Sequence, residues 1–452
     1  MQKIFSSYWV RSAFYTILQR FSLTVFGLIN FMILVRWLTQ AQLGTWALFL
    51  SVTSIFEATK SGLLKNAHIK YVSSSNDKKE RTIIASSSLI INTCISFLFI
   101  IFLWFFSDWI SVKLHTGTDL ASMLKCFIPG LLFMIFFSHF EAIQQSHLDF
   151  KGVLAGYLVR QFAFFVIILM HTILHISFSL NYLALYQSAC ILLGAITLYF
   201  FSRKYLLHQF DPSVFWVKKI FGYGGYIFGS GIMANIYANV DQLMTAGFIS
   251  SSSVAYYNTA SRINGLVDIP SYAAAEILFP KSSRALAEEG KDKVRYLYER
   301  MVAILLSFTT PAALFIIIFP KLVITIIASS KYQAAAPILQ LYMITGLLRP
   351  MQNQAANLLN SIGKPALCFY INTFGLAENL IINYICLYYF GFYGAAIGTL
   401  ITSVFGVILW YFVMKKQISL QLSGVIKYMI EFYKSVYIYS TDFIFKTKKA
   451  TL

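Results

Sequence analysis

Charged residues and prolines are both scarce in this chain: of its 452 residues only 12% are charged and only 9 are prolines. Soluble domains carry about 25% charged residues, so this composition excludes a soluble enzyme of this length. The low proline content excludes a collagen-like or disordered chain. The cysteines are few, odd in number and set in apolar runs without paired metal-ligand spacing, so we predict small buried hydrophobes at Cys94, Cys126, Cys190, Cys368 and Cys386.

The sequence also lacks the local motifs of several enzyme classes. It has no phosphate-binding loop of the G-x-x-x-x-G-K-S/T type, no H-E-x-x-H zinc motif and no G-x-S-x-G nucleophile motif. The polar segments between its apolar runs are too short to hold an inserted catalytic domain. We therefore predict that the protein is not an enzyme and has no metal or cofactor, with coupling to H+ or Na+ as the one open point.

Apolar sequence is abundant, since 58% of the residues are hydrophobic and 17% are aromatic. A helix needs about 20 apolar residues to cross the hydrocarbon core of a bilayer. This pattern predicts an all-α integral membrane protein with twelve transmembrane helices. The predicted spans are residues 9–35, 43–64, 82–106, 121–146, 152–173, 179–201, 220–246, 254–280, 296–318, 335–360, 365–388 and 391–414.

The distribution of positive charge predicts the orientation of these spans. The chain has 36 basic and 18 acidic residues. If the N-terminus is cytoplasmic, the inner segments hold 27 of the 36 basic residues and the outer segments hold five. Cytoplasmic loops carry an excess of Lys and Arg, so we predict a multi-pass membrane protein with both termini in the cytoplasm.

Two distant segments of the chain resemble each other. In both, a span ends, a short polar turn follows, and the next span opens with an aliphatic and then a small residue, Leu43 and Gly44 in one and Val254 and Ala255 in the other. The offset of 211 residues between them corresponds to six spans, which predicts two parallel six-helix repeats around a central cavity. The predicted divisions are an N-terminal lobe (1–202), a cytoplasmic linker (203–219), a C-terminal lobe (220–414) and a basic amphipathic cytoplasmic tail (415–452), for which a thirteenth span is the alternative.

Arginines within the predicted spans point to a polar chamber. An arginine at the centre of a bilayer costs about 2.5–3.5 kcal/mol on insertion scales, so it must face water, a partner or a substrate. Helical spacing places Arg20 and Arg262 on polar, small-residue faces, which favours cavity roles for both. Arg160 has snorkelling to the interface as an alternative. Arg349 has satisfaction of the carbonyls freed at Pro350 as an alternative to a cavity role.

Further polar residues share these faces or lie within spans. Asn235 and Asn239 lie on one side of the seventh span, and Asn258 lies on the polar face of the eighth. The carboxylates Glu57 and Glu276 also lie within spans. Because a buried carboxylate can titrate, these two are candidates for coupling transport to an ion gradient.

Two stretches resemble the best-marked regions of a known transporter family. Ile33–Leu48 contains an arginine, a leucine, a short turn, a glycine and an aromatic residue, and Asp241–Arg262 contains an aspartate near the end of span seven and an arginine in span eight. Both look like Wzx-type O-antigen flippases, polysaccharide transport proteins of the multidrug/oligosaccharidyl-lipid/polysaccharide exporter superfamily. The chain departs from the family pattern at Thr39–Gln42, where the turn is not acidic, and at Ala255, where the family has glycine.

The resemblance implies a flippase of the bacterial plasma (inner) membrane that moves undecaprenyl-pyrophosphate-linked oligosaccharide units from the inner to the outer leaflet, for O-antigen, capsule or exopolysaccharide biosynthesis. It also implies that Arg20 and Arg262 line the central cavity. Guanidinium groups bind phosphate through charge-assisted bonds, and amides hydrogen-bond sugar hydroxyls. We therefore expect these two arginines to hold the diphosphate and Asn235, Asn239 and Asn258 to contact the sugar.

The expected partners are the lipid-linked oligosaccharide and membrane lipids, with a polysaccharide polymerase and a chain-length regulator as further candidates and no nucleic acid. Three other functions stay open: a multidrug exporter of the same superfamily, a facilitator-type sugar transporter, and an O-antigen polymerase. The arginines disfavour an exporter of organic cations. Lys65–Thr82 lacks the facilitator motif, and the sequence lacks the large external loop typical of polymerases.

Overall fold

The computed structural model describes residues 8–60, 66–75, 77–147, 149–206 and 210–450. Within these ranges every regular element is a helix and no strand is present, so the predicted all-α class is confirmed. Two short 3-10 helices, Ser330–Ala335 and Gly391–Tyr393, join longer ones. The α-helices are α1 (Tyr8–Trp37), α2 (Gln40–Lys60), α3 (Asn66–Ser74), α4 (Lys78–Lys113), α5 (Asp119–Cys126), α6 (Ile128–Ser146), α7 (Phe150–Ile173), α8 (Leu180–Ser202), α9 (Val214–Phe248), α10 (Ser251–Glu288), α11 (Lys291–Ile318), α12 (Pro320–Ile327), α13 (Ala336–Ser361), α14 (Pro365–Phe390), α15 (Gly394–Ile418) and α16 (Leu422–Ala450).

Local sequence determines where several of these helices begin and end. At the start of α4, the Asp77 carboxylate accepts a hydrogen bond from the backbone N–H of Lys79 (3.0 Å), which satisfies a free donor of the first turn. Prolines lie in the first turn of α6, α12, α13 and α14, where the missing N–H removes no helical hydrogen bond. Between α13 and α14, Gly363 has a φ of 79°, which a side chain would strain.

The predicted spans coincide with helices, but not all of those helices are strongly apolar. In the described part of the chain, six helical stretches are long and apolar enough to cross a membrane, or seven if the bent pair α5–α6 is one span. The two helices of that pair meet at Phe127 with a 43° bend. Helices α2, α9, α10 and α13 are more polar and fall outside this group. The total of twelve spans and the two six-helix repeats therefore stay predictions.

Residues 1–255 form the first compact unit. Within it, α7 packs against α1 and α8, and α6 packs against α8. Glycines allow these helices to approach closely: a Cβ atom at Gly156 would collide with Leu198, and one at Gly194 would lie 2.8 Å from the Phe137 ring. Small residues at helix contacts are typical of membrane bundles. The predicted division of the chain into two lobes and a linker has other boundaries than these compact units, and it stays a prediction.

Residues 256–452 form the second compact unit. A buried cluster in this unit joins α10, α11, α13, α14, α15 and the start of α16 around Tyr298, Leu358 and Met414. The Tyr298 hydroxyl donates a hydrogen bond to the carbonyl of Met351 (2.8 Å), so this buried tyrosine links α11 to α13. Apolar burial with its polar group satisfied is the arrangement expected for an interior tyrosine.

The tail helix α16 packs against α11. The Glu299 carboxylate accepts a hydrogen bond from the backbone N–H of Gln421 (2.9 Å), and the Tyr433 hydroxyl donates one to the carbonyl of Ser307 (2.8 Å). Because Ser307 lies within the predicted span 296–318, the first half of the tail helix runs alongside that span. The prediction that the tail lies on the cytoplasmic leaflet stays a prediction.

Candidate functional site

The first unit contains an ion pair between two of its predicted spans. Arg160 on α7 donates through Nη2 to Oε1 of Glu57 on α2, at 3.2 Å. The Arg160 side chain is 15% exposed and the Glu57 side chain is 40% exposed. The guanidinium also lies 5.5 Å from the centroid of the Phe137 ring. Arg160 is therefore paired with a carboxylate on another helix. Snorkelling of Arg160 to the interface, the alternative predicted from the sequence, is not tested by this contact.

A second buried carboxylate lies on α6 of the same unit. Glu141 accepts hydrogen bonds at Oε1 from the Tyr157 hydroxyl (3.2 Å) and from Nε2 of Gln145 (3.1 Å), and it is only 4% exposed. Tyr157 precedes Arg160 by three residues on α7, so both side chains lie on one face of that helix. Sequence reasoning placed Glu141 inside a span without giving it a role; its hydrogen bonds to two side chains show a structural anchor for α6 and α7.

Two of the predicted sugar-contacting residues lie on α9 near the same part of α2. Nδ2 of Asn239 donates to the backbone carbonyl of Asn235 (2.9 Å) and to Oγ of Ser54 (3.4 Å). Ser54 precedes Glu57 by three residues, so these two α2 side chains are neighbours on one helix face. The structure thus brings Asn239 next to the face of α2 that carries the ion pair.

Arg20 lies on α1 and is exposed. Its backbone carbonyl accepts a hydrogen bond from Oγ1 of Thr24 (3.1 Å), which lies on the polar face predicted from the sequence. The role of Arg20 in substrate binding stays a prediction.

The second unit contains an ion pair of its own, between α10 and α13. Nη1 of Arg349 donates to Oδ2 of Asp268 at 2.7 Å; the Asp268 side chain is 7% exposed and that of Arg349 is 33% exposed. Asn264 accepts from the same guanidinium nitrogen (2.8 Å) and donates to the carbonyl of Tyr342 (3.2 Å), in the amide orientation that satisfies both of its polar atoms. Arg349 is therefore bound by a carboxylate and an amide. Its predicted cavity role and the alternative of carbonyls freed at Pro350 both stay predictions.

Neither Asp268 nor Asn264 was singled out from the sequence as a partner. The two residues are four apart on α10, which places them on one face of the helix. That spacing is the signal from which a polar site opposite an arginine could have been inferred. Which arginine lies opposite could not be inferred from the sequence, because Arg349 follows Asp268 by 81 residues.

The remaining predicted residues of the second unit lie on α10. Asn258 is buried and Arg262 is half-buried, and their spacing of four places them on one helix face. Glu276 lies on the same helix, and its side chain is outside the described residues. The assembly of Arg20, Asn235 and Asn239 with Asn258 and Arg262 into one chamber stays a prediction.

A residue of the resembling motif has a steric role. A Cβ atom at Gly44 on α2 would collide with the backbone carbonyl of Ser251, the first residue of α10. Leu43 and Val254, the matching aliphatic positions of the two motifs, are fully buried. The glycine therefore permits close contact between two helices, a common role of small residues in membrane bundles.

Helices long and apolar enough to span a membrane indicate a multi-pass membrane protein, and solved structures identify its fold. The chain aligns with the lipid II flippase MurJ in an inward-closed conformation with a TM-score of 0.77 at 16% identity, covering 95% of this chain and 93% of that one. It aligns equally well, with a TM-score of 0.77 at 16% identity, with an inward-facing multidrug resistance MATE transporter of the MOP superfamily, over 88% and 94% of the two chains. The fold is therefore that of MOP-superfamily transporters.

Within that class, the chain belongs to a polysaccharide biosynthesis protein family, whose model matches residues 33–337. The lipopolysaccharide biosynthesis protein WzxC of Escherichia coli is 21% identical over 402 residues, which are 87% of this chain and 78% of the relative. An uncharacterized membrane protein of Methanocaldococcus jannaschii is 28% identical over 52% of this chain, and the match spans about half of that relative, 46% of its length. These findings confirm the predicted resemblance to Wzx-type polysaccharide flippases of the MOP superfamily.

Proposed function

We propose that this protein moves undecaprenyl-pyrophosphate-linked oligosaccharide units from the inner to the outer leaflet of the bacterial plasma membrane by alternating access. Such units would serve O-antigen, capsule or exopolysaccharide assembly. The observation that carries the proposal is the family match across residues 33–337. Similarity to WzxC over 87% of the chain supports it, as does the shared fold with a lipid II flippase.

Intramembrane arginines supply the chemistry that this substrate needs. Arg20 is exposed and Arg262 is half-buried, and guanidinium groups bind diphosphate oxygens through charge-assisted bonds. In the proposed inward-open state these two arginines hold the diphosphate. The amides of Asn235, Asn239 and Asn258 contact the sugar, and Arg349 offers a further guanidinium that is one-third exposed.

Glu57 is the proposed coupling residue for an H+ or Na+ gradient. Its side chain is 40% exposed, and its partner Arg160 is 15% exposed. Uptake of a cation by the carboxylate would weaken the link between α2 and α7. That link could then differ between the two states of the transport cycle. Glu276 on α10 is a second candidate for the same role.

The topology proposed for this function has both termini in the cytoplasm of a bacterial cell. Its support is the charge distribution, with 27 of the 36 basic residues in the predicted inner segments. A polysaccharide polymerase and a chain-length regulator are the proposed protein partners, because units delivered to the outer leaflet must be joined there. No catalytic step is assigned to the chain itself.

The test measures which leaflet holds lipid-linked oligosaccharide in cells that lack the protein. Accumulation on the cytoplasmic side supports flipping, and complementation with Arg20→Ala or Arg262→Ala should leave that accumulation in place. Arg284→Ala on α10 is a matched control, because it removes an exposed arginine from the same helix as Arg262. This control should restore surface glycan.

Other outcomes would contradict the proposal. Outward-facing units that are not polymerised would indicate an O-antigen polymerase. Normal glycan together with altered sensitivity to organic cations would indicate a multidrug exporter. Full surface glycan with Arg20→Ala and Arg262→Ala variants present at normal levels in the membrane would refute the diphosphate assignment.

A further inference from the structure

A cavity of about 550 Å³ lies wholly within the first unit, where α3, α4, α6 and α8 end or begin. Its lining residues come from the segment between His68 and Phe210, and those that the structure describes include no carboxylate. Seven of them are basic or imidazole side chains. These are His68, Lys78, Arg81, His139, His147, Arg203 and Lys204.

The acidic neighbours of the cavity only partly offset this charge. Lys204 forms an ion pair with Asp149 at 2.8 Å. Asp77 caps α4 at the backbone N–H of Lys79 (3.0 Å), and Glu80 accepts a hydrogen bond from the Ser75 hydroxyl. Asp211 is a further acidic neighbour, whose backbone N–H donates to the hydroxyl of Ser86 in the lining (3.2 Å). The lining itself has four cationic side chains, one of them paired with a carboxylate outside it, so the lining carries an excess of positive charge.

His68 is an unsatisfied polar group in the wall of this cavity. It is 1% exposed, and neither ring nitrogen has a hydrogen-bond partner. Buried polar atoms are paired in the great majority of cases, so an orphaned imidazole requires an explanation. Burial, followed by the positive charges that His139 and His147 can carry, lowers the pKa of His68 to about 3, so its ring is neutral at physiological pH. A neutral imidazole has one N–H donor and one acceptor nitrogen.

We propose that this cavity binds a terminal phosphate group, held by Lys78, Arg203 and His68. Phosphate oxygens accept charge-assisted hydrogen bonds from ammonium and guanidinium groups. A terminal phosphate has a second ionisation near pH 6, so its monoprotonated form also carries an O–H. That O–H can donate a hydrogen bond to the acceptor nitrogen of His68. A phosphodiester has no such hydroxyl, which is why a terminal phosphate is favoured.

The position of the cavity suits two sources of this group. About half of its lining residues lie between His68 and Arg81 or between Arg203 and Phe210, in segments predicted to face the cytoplasm, where anionic lipids and soluble phosphates both occur. The lining also contains apolar side chains, among them Leu89 and Phe210, which suit the glycerol and upper acyl carbons of phosphatidic acid. Free phosphate would use the polar wall alone. The proposal concerns the first unit only and stands apart from the flippase chemistry.

The test uses the full-length protein and two probes. Native mass spectrometry in detergent would compare binding of phosphatidic acid with that of phosphatidylglycerol, a phosphodiester. Thermal unfolding with inorganic phosphate against chloride at equal ionic strength would test the soluble source. We expect phosphatidic acid to bind about tenfold more tightly than phosphatidylglycerol, because only a terminal phosphate has the O–H that donates to His68.

Two variants and a matched control make the test specific. Lys78→Gln with Arg203→Gln removes two exposed charges of the lining and should weaken binding of the effective probe about tenfold or more. Lys151→Gln with Lys218→Gln removes two exposed charges from outside the lining and should leave binding unchanged. His68→Leu keeps the wall filled while removing both ring nitrogens, and should abolish the preference for a terminal phosphate.

Binding of phosphatidic acid with this pattern would support a lipid source. The same pattern with inorganic phosphate alone would support a soluble one. The proposal is overturned if neither probe binds saturably, or if the lining variant and its control weaken binding equally. It is also overturned if phosphatidylglycerol binds as tightly as phosphatidic acid.

Discussion

Each compact unit joins two of its helices through an ion pair between predicted spans, but the two pairs expose opposite partners. In the first unit the arginine is the protected member, with Arg160 at 15% exposure and Glu57 at 40%. In the second unit the carboxylate is protected, with Asp268 at 7% and Arg349 at 33%. The atoms are also closer in the second pair, 2.7 Å against 3.2 Å.

This reversal suggests that the two ion pairs have different functions. A charge that faces hydrocarbon is costly, so the exposed part of each pair must face water or a ligand. An accessible carboxylate can take up a cation, and an accessible guanidinium can bind an anion. Glu57 therefore fits the proposed coupling role and Arg349 the proposed cavity role. The same asymmetry predicts which single substitutions are most harmful, since an uncompensated charge costs most where it is most buried.

Arg349→Met is expected to have the largest effect. It leaves the Asp268 carboxylate, 7% exposed, without its cation, and losing one partner of a buried pair costs about 3–5 kcal/mol. Unfolding of the purified protein in detergent would measure this loss. Arg349→Met combined with Asp268→Asn should recover most of the stability, because no carboxylate is then left buried. Equal stability of the single and double variants would show that the pair is not what holds α10 to α13.

Glu57→Gln is expected to cause the second-largest loss of stability. It leaves Arg160 largely buried, but the guanidinium keeps its position over the Phe137 ring (5.5 Å). We therefore expect a cost of about 2–3 kcal/mol, below that of Arg349→Met. The same unfolding measurement applies, and Glu57→Asp, which keeps the charge, should cost less. A cost above that of Arg349→Met would reverse the proposed order.

The same Glu57→Gln variant tests whether the two ion pairs also differ in function. If Glu57 couples transport to an ion gradient, glycan export by this variant should no longer respond when the proton or sodium gradient is collapsed. Asp268→Asn should keep the response, because its carboxylate is 7% exposed and bound to Arg349. Surface glycan, followed with and without ionophores, provides the measurement. A normal response from Glu57→Gln would remove Glu57 from the coupling role.

Removing the more buried member of a pair should have a smaller effect. Arg160→Met leaves Glu57 at 40% exposure, where solvent can compensate its charge, and we expect a cost of about 1 kcal/mol. Asp268→Asn leaves Arg349 one-third exposed and hydrogen-bonded to Asn264, with a cost of similar size. Comparing these variants with Glu57→Gln and Arg349→Met tests whether exposure decides the order. Equal costs within each pair would contradict it.

Much of the fold could be predicted from the sequence, because the length of each apolar run indicates where a membrane-spanning helix lies. The predicted spans coincide with helices whose ends differ by a few residues, as with 152–173 and the observed Phe150–Ile173. The break in the fourth span was not predicted. Pro129, in the first turn of α6, was the available signal, since proline fits the start of a helix better than its interior.

The ion pairs could be predicted only in part. The cost of an arginine in a bilayer predicts that Arg160 and Arg349 need a partner or water, without naming it. Their partners lie 103 and 81 residues earlier in the chain, and only the packing of α2 on α7 and of α10 on α13 selects them. Periodicity within one helix cannot supply such a choice, because it reports which residues share a face and not which face lies opposite.

A third ion pair lies outside the predicted spans, and removing one of its partners is expected to cost the least stability. Asp149, just before α7, binds Lys204 at 2.8 Å and accepts a hydrogen bond from the Tyr205 hydroxyl at 3.1 Å. Partial burial on its own raises the pKa of Asp149, but the bond and charge of Lys204, with the Tyr205 hydroxyl and the backbone, outweigh it and lower that pKa overall. The side chain of Lys204 is 58% exposed, so the pair lies largely in water.

Asp149→Asn should therefore cost only about 0.5–1 kcal/mol at neutral pH. Because the folded-state pKa is depressed, the stabilisation is fully present above the unfolded value near 4 and is lost as the pH falls through the folded value. The difference in unfolding midpoint between Asp149→Asn and the unsubstituted protein should then be constant from pH 7 to about 5 and shrink below about 4. A cost as large as that of Arg349→Met would mean that exposure does not govern these pairs, since this pair is far more accessible than Asp268 and its partner.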